Sequence, residues 1–143
     1  MISNTARHAI RALILLAQLP DSEFAGAATV AQEIGAPQNY LGKLLQIMCK
    51  QGLVLSHKGH GGGFRLARDP HQISLYDVVD PIDGLNRKNG CILGQLLCSD
   101  GSPCPAHERF LAIVSAQERF LKETTIGQLM GRYRTARAKK QTM

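Results

Sequence analysis

The chain of 143 residues is long enough to bury one ordinary core, and its 44% hydrophobic and 20% charged residues exclude a disordered or coiled-coil protein. A net charge of +6, from 17 Lys and Arg against 11 Asp and Glu, favours a polyanionic partner such as nucleic acid or anionic lipid. The longest apolar run near the start, residues 12–17, is too short for an export signal or a membrane span, so we expect a cytoplasmic protein without a membrane partner.

The first third of the chain predicts three helices. Ser3 can cap the first, whose apolar residues repeat with helical spacing. Thr29 is expected to cap a short second helix that ends at Gly35. A third helix is expected from Pro37 to about Gln51, with one apolar face and an opposite face of amides and lysines without a carboxylate. That polar face suits either simple solvation or the recognition helix of a helix-turn-helix, which enters the major groove of DNA.

A β-hairpin follows and favours the DNA-binding interpretation. Its strands are expected over residues 53–57 and 63–68, joined by a glycine-rich tip that tolerates positive φ. The tip connects two strands and lacks the Gly-Lys-Ser/Thr ending of a P-loop, which argues against nucleotide binding. Ser74 can cap a fourth helix after the hairpin. The helices and the hairpin together predict a winged helix-turn-helix DNA-binding domain over residues 1–84. The candidate DNA-contacting residues are Gln38, Asn39, Tyr40, Lys43, Gln46, Lys58, His60 and Arg65.

A cysteine-rich loop is predicted over residues 85–107. Six residues separate Cys91 from Cys98, five separate Cys98 from Cys104, and His107 follows Cys104 at i+3. Soft thiolates with an imidazole suit zinc or an iron–sulfur cluster. The residues alone leave three possibilities open: a cluster, a structural zinc site, and three unligated thiols on a loop.

A small metalloenzyme or electron carrier is the alternative from another class. A catalytic zinc keeps an open position beside a general base, and Glu108 is the nearby candidate. Helix geometry turns Glu108 about 100° away from His107, and an electron carrier has no use for a wing, so we predict that the chain is not an enzyme. The remaining cysteine, Cys49, lies beside the apolar stripe of the third helix and is expected to be a core residue.

A long helix over about residues 105–124 carries more apolar side chains than one winged-helix core requires. This excess indicates packing against the first helix of the same chain, a two-fold homodimer, or both. We predict a dimerisation region over residues 105–130, on which residues 1–20 also pack, and a basic, flexible tail over residues 131–143. The candidate interface residues are Phe110, Ile113, Val114, Gln117, Phe120 and Leu121.

The order of these parts resembles the Rrf2 family of winged-helix transcription regulators, and within it the IscR- and NsrR-like iron–sulfur sensors. The similarity covers nearly the whole chain. It is carried by the opening SNTARHAIRALILLA, the helix NYLGKLLQIMCKQGLV, the wing SHKGHGGGFRLAR and the motif CILGQLLCSDGSPCPAH. It implies a mainly α homodimer that binds double-stranded DNA at a partly palindromic operator, with a cluster on Cys91, Cys98 and Cys104 setting the affinity.

The resemblance also bears on the fourth ligand and the cluster type. Some members use a histidine just after the third cysteine, which His107 matches, and others use an acidic residue of the partner's first helix, whose position falls here on Arg7. Arginine does not ligate iron, so His107 is favoured. The six-residue first interval, where the best-known members have five, leaves the cluster type open, with 2Fe–2S preferred to 4Fe–4S and zinc as the alternative. The expected function is repression that responds to redox state, nitric oxide or iron–sulfur status. Gly42 and Lys43 replace an acidic–amide pair of the iron–sulfur biogenesis regulator, so its operator preference is not carried over.

Overall fold

The computed structural model describes residues 2–85, 91–93 and 101–131. These residues form a mainly α fold with one two-stranded antiparallel sheet, as predicted. The helices are α1 (Asn4–Ala17), α2 (Ala27–Ile34), α3 (Gln38–Lys50), α4 (Leu75–Asp83), α5 (His107–Glu123) and α6 (Ile126–Met130); the strands are β1 (Val54–His57) and β2 (Gly63–Leu66), and a short 3-10 helix spans Pro70–Gln72. No helix of the described ranges is long and apolar enough to cross a bilayer. Of the basic tail predicted over residues 131–143, residues 132–143 lie outside the described residues.

Helix α1 lies at the centre of the core. It packs against α2, α3, β2, α4 and α6. Three alanines on its inner side, Ala6, Ala9 and Ala12, are at most 1% exposed, and their small side chains let neighbouring elements approach closely. The predicted cap is confirmed, because the Ser3 side chain accepts a hydrogen bond from the Ala6 N–H at 3.0 Å.

The start of α2 corrects the sequence prediction. The helix begins at Ala27 after Gly26, so Thr29 is an exposed residue of the first turn and the prediction of a Thr29 cap was wrong. The reason is non-local: Ala25 forms a β-bridge with Phe64 of the hairpin, and this pairing fixes the extended backbone from which α2 starts. Its predicted end is confirmed, since Gly35 adopts a left-handed conformation with φ of 73°.

Helix α3 and the hairpin match their predictions closely. The apolar face of α3 is buried, through Leu41, Leu44, Leu45 and Met48. Strands β1 and β2 pair from Val54 opposite Leu66 to His57 opposite Gly63. They are shorter than expected at the base, where one further hydrogen bond, from the Ala67 N–H to the Leu53 carbonyl at 3.0 Å, continues the pairing.

The C-terminal helices are joined to the core by backbone pairing. Ser74 caps α4 in a capping box with Asp77, as predicted for the helix start. The Leu75 N–H donates to the Thr124 carbonyl at 2.8 Å, so the end of α5 is fastened beside the start of α4. Helix α5 packs against α4, and α6 packs against α1 and the 3-10 helix.

A buried carboxylate fastens the end of α4 to the start of α1. Asp83 is 8% exposed, and its two oxygens accept hydrogen bonds from the Ser3 N–H at 2.9 Å and the Ser3 hydroxyl at 2.5 Å. The same Ser3 hydroxyl caps α1, so one residue serves both the helix and the contact. We call this pair the Ser3–Asp83 contact. It joins the start of α1 to the end of α4 through two residues that are 80 positions apart in sequence.

Asp83→Ala is expected to lower the free energy of unfolding by about 1.5–3 kcal/mol, because hydrogen bonds to a charged group contribute that much. Denaturant unfolding at fixed protein concentration measures the change. Asp21→Ala, which removes an exposed carboxylate from a loop, is the matched control and should change stability by less than about 0.5 kcal/mol. Equal effects of the two substitutions would show that the Ser3–Asp83 contact does not stabilise the fold.

Candidate DNA-binding face and cysteine site

The outward face of α3 presents hydrogen-bond donors without a negative charge. Asn39, Lys43 and Gln46 are exposed, and the helix contains no acidic residue. Because the opposite face is held in the core, these side chains project from a rigid element. Ile47, which the sequence analysis did not select, is 41% exposed beside them and offers an apolar contact of the kind that thymine methyl groups accept.

The first turn of α3 is held against α1. Gln38 is exposed, whereas Tyr40 is half-buried. The Tyr40 hydroxyl lies 3.2 Å from Nδ1 of His8, and the two rings meet edge to face at 5.6 Å. Of the DNA-contacting residues predicted on this helix, Tyr40 is therefore the one that also has a structural role.

The wing presents cationic and titratable groups at its tip and a further cation on its second strand. Lys58 and His60 are exposed at the tip. Arg65 on β2 is half-buried, and its guanidinium carbon lies 5.3 Å from the ring centroid of Phe24. Phe24 was not identified from the sequence, since nothing in its spacing links it to the hairpin.

Two of the predicted metal ligands come together. The Sγ atoms of Cys91 and Cys104 are 3.4 Å apart, too far for a disulfide, whose sulfurs lie about 2.05 Å apart. Cys104 is buried at 8% exposure, and the Leu93 N–H donates to the Cys91 sulfur at 3.3 Å. Such N–H···S bonds stabilise a negatively charged sulfur and tune a metal bound to it.

The remaining predicted ligands are placed only in part. His107 is the first residue of α5, and its N–H donates to the Cys104 carbonyl at 3.0 Å, so the third cysteine and the histidine form one turn. Cys98 lies outside the described residues. Within the described part of the chain, no group of three or more His, Cys, Asp or Glu side chains is arranged to hold a metal ion.

The donor chemistry nevertheless fits a thiophilic metal centre. Thiolates bound to one tetrahedral metal at about 2.3 Å lie about 3.8 Å apart. The observed 3.4 Å between the Cys91 and Cys104 sulfurs is close to that spacing. Cys49 differs, because burial raises the pKa of its thiol, outweighing the opposite effect of its hydrogen bond with Ser56. A thiol with a raised pKa is a poor metal ligand at neutral pH. Cys49 was predicted to be a core residue; it is half-buried and packs against the core.

The predicted interface stripe on α5 is divided between the core and the surface. Ile113 and Phe120 are 60% and 57% exposed, whereas Leu121 is 3% exposed and belongs to the core of its own chain. Leu121 is therefore covered within its own chain, where the main neighbour of α5 is α4 and not the first helix that the sequence analysis named. The other three residues, Phe110, Val114 and Gln117, are half-buried.

Residues 2–132 match the model of the Rrf2 family, described as an iron-dependent transcriptional regulator. The chain belongs to the Rrf2 family. An HTH-type transcriptional regulator of Aquifex aeolicus is 31% identical over 132 residues, 91% of each chain. The HTH-type transcriptional regulator IscR of Vibrio campbellii is 30% identical over 129 residues, 90% of this chain and 76% of the relative.

Solved structures of Rrf2 regulators share the fold. CymR, the global cysteine regulator of B. subtilis, superposes with a TM-score of 0.77 at 25% identity, over 94% of this chain and 98% of CymR. T. potens IscR gives a TM-score of 0.74 at 22% identity, over 92% of this chain and 86% of that chain. The winged-helix fold predicted from the sequence is thereby confirmed. These relatives are transcription regulators and not enzymes, so the prediction that this Rrf2 protein is not an enzyme is also confirmed.

Proposed function

We propose that this Rrf2 regulator is a cytoplasmic, homodimeric repressor that binds a partly palindromic operator and whose DNA affinity is set by an iron–sulfur cluster. Cys91, Cys98, Cys104 and His107 would hold the cluster, which supplies redox and nitric oxide chemistry when bound. The observation that carries the proposal is the approach of the Cys91 and Cys104 sulfurs to 3.4 Å immediately before α5. The family supplies the DNA-binding role, and the exposed donors of α3 supply the surface for it.

The fold supports a coupling between the cysteine segment and the recognition helix. Asp83, eight positions before Cys91, is bonded to Ser3 at the start of α1. On the same helix, His8 contacts Tyr40 in the first turn of α3. A shift of the chain near Asp83 would therefore be passed to α3 through one rigid helix. Coupling of this kind is typically worth about 1–3 kcal/mol in binding free energy.

Anaerobic purification with iron, sulfide and zinc analysis tests the cofactor. The expected result is a coloured protein with iron and labile sulfide in each chain. Three cysteines with a histidine also form a common closed zinc site. If the purified protein is colourless and holds one tightly bound zinc, the site is a structural zinc site and not a cluster site. The DNA-binding role is unaffected by that result.

DNA binding is tested by gel-shift titration on a promoter fragment of the protein's own gene, at several salt concentrations, with loaded, oxidised, nitrosylated and apo protein. Sequence-preferring binding that weakens with salt is expected, with different affinities in the different cluster states. No sequence preference in any state would contradict the regulator, whereas equal affinities would contradict the sensing role alone.

Lys43→Ala is expected to weaken operator binding about tenfold, because a side chain that reads a base edge contributes about 1–3 kcal/mol. Lys43 is exposed, so the fold should be unchanged. Fluorescence anisotropy on the operator measures the loss. Lys122→Ala is the matched control, since it removes the same charge from α5, where Lys122 pairs with Glu118 at 2.7 Å. Equal affinities of both variants and the parent protein would exclude Lys43 from the DNA contact.

A further inference from the structure

We infer that Phe24 is a positioning residue of the wing. Its ring orients the Arg65 side chain so that the guanidinium can contact the DNA backbone. The inference rests on the DNA-binding role proposed above. Phe24 lies in the loop between α1 and α2, forty-one positions before Arg65 in the sequence. Its side chain is half-buried. Among the described residues, several half-buried apolar side chains pack on the core, but Phe24 is not one of them. The ring contacts of Phe24 in the described residues are with His57 and Arg65 of the hairpin.

Two side chains of one hairpin face meet the Phe24 ring. Leu55 pairs with Arg65, and His57 pairs with Gly63, so Arg65 and His57 project from the same side of the sheet. The His57 ring lies 5.4 Å from the Phe24 ring, tilted by 36°. The Arg65 guanidinium lies 5.3 Å from the centroid of that ring, within the range of a cation–π contact.

Backbone pairing fixes Phe24 in this place. The Ala25 N–H donates to the Phe64 carbonyl at 2.9 Å, and the Phe64 N–H donates to the Ala25 carbonyl at 2.8 Å. Gly63 permits the approach: its φ is +139°, and a Cβ there would lie 2.5 Å from the Ala25 carbonyl oxygen. Ala25, the residue after Phe24, thus forms a one-residue β-bridge with β2 and extends the two-stranded sheet by one residue.

A guanidinium on an aromatic face keeps its N–H donors free. The contact with the ring is electrostatic and uses no oxygen acceptor, so the guanidinium donors of Arg65 can still reach phosphate oxygens. Arg65 is in this way confined to few conformations before DNA arrives, so less side-chain freedom is given up on binding. Phe24 then acts on DNA affinity through Arg65 without touching the DNA.

The test compares Phe24→Leu, Phe24→Tyr and Arg65→Ala on one operator fragment over a range of salt concentrations. Phe24→Leu keeps an apolar side chain and removes the π face, and it should weaken binding about two- to fivefold for each half-site. Its dependence on salt should match the parent protein, because Arg65 still reaches its phosphate. Arg65→Ala should weaken binding and also lower the salt slope by about 0.9 for each phosphate that is no longer neutralised. Phe24→Tyr, which keeps the aromatic face, should restore the parent affinity.

The double variant Phe24→Leu with Arg65→Ala should bind no more weakly than Arg65→Ala alone, because Phe24 acts through Arg65. Additive effects, or parent-like binding by Phe24→Leu, would overturn the inference while the regulator itself stands. A parent protein that binds no operator would instead contradict the proposed function. Circular dichroism and thermal unfolding confirm that each variant is folded, and a weakening in Phe24→Leu that only follows reduced stability would also overturn the inference.

Discussion

Replacing Cys104 with serine is expected to abolish the iron and labile sulfide of the anaerobically purified protein. The Cys104 sulfur is buried and lies 3.4 Å from that of Cys91, so the two form the part of the ligand set that the fold brings together. A serine hydroxyl stays protonated at neutral pH and is a poor substitute for a soft thiolate. Metal and sulfide analysis with visible spectra measures the loss, and Cys98→Ser should give the same result.

Cys49→Ser is the matched control for both variants. Cys49 is half-buried in α3, and burial raises the pKa of its thiol, so it should not act as a ligand. Cluster content is expected to remain that of the parent protein. Equal losses in Cys49→Ser and Cys104→Ser would show that the ligand set is wrong. On the operator, Cys104→Ser should match the affinity of the apo parent, and a different value would mean that the substitution disturbs the DNA-binding domain itself.

Local signals in the sequence were sufficient for most of the fold. The buried stripe of α3 follows from helical periodicity alone, and Ser3 and Ser74 cap their helices as their side chains permit. Thr29 failed as a cap because the start of α2 is set by the bridge between Ala25 and Phe64, a contact between segments distant in the chain. A propensity at one position cannot report such a pairing.

In the candidate sites, too, the sequence indicated the local patterns but not the contacts between distant segments. The cysteine spacing is local, so it indicated a metal site from sequence alone. The Ser3–Asp83 contact joins residues 80 positions apart, and no spacing rule connects them. Periodicity also assigned Leu121 and Ile113 to one face of α5, yet the first is buried and the second is 60% exposed. A helical repeat defines a face, whereas the neighbouring elements decide which edge of that face they cover.

Changing both Ile113 and Phe120 to glutamate is expected to convert a homodimer into monomers. The two residues are seven positions apart on α5 and more than half exposed, so they form an apolar ridge that the chain's own core leaves uncovered. In a two-fold interface the same surface of both chains is buried, so the double substitution would bring four carboxylates into one apolar contact, where they would repel one another and lose their hydration. Sedimentation analysis measures the change in mass. The monomer should still unfold cooperatively because neither side chain belongs to the core, although the stabilisation by association is lost.

Loss of the dimer should also weaken operator binding by at least about a hundredfold, because two linked half-sites gain roughly 10²–10⁴ over one. Leu111→Glu is the matched control: Leu111 is 45% exposed on α5, but it lies two residues from Ile113 and so points about 160° away. It should remain dimeric and bind the operator normally. If the ridge variant stays dimeric while Leu111→Glu dissociates, the interface lies on the other side of α5. If neither dissociates, the dimer forms elsewhere, and the exposed ridge requires a different explanation.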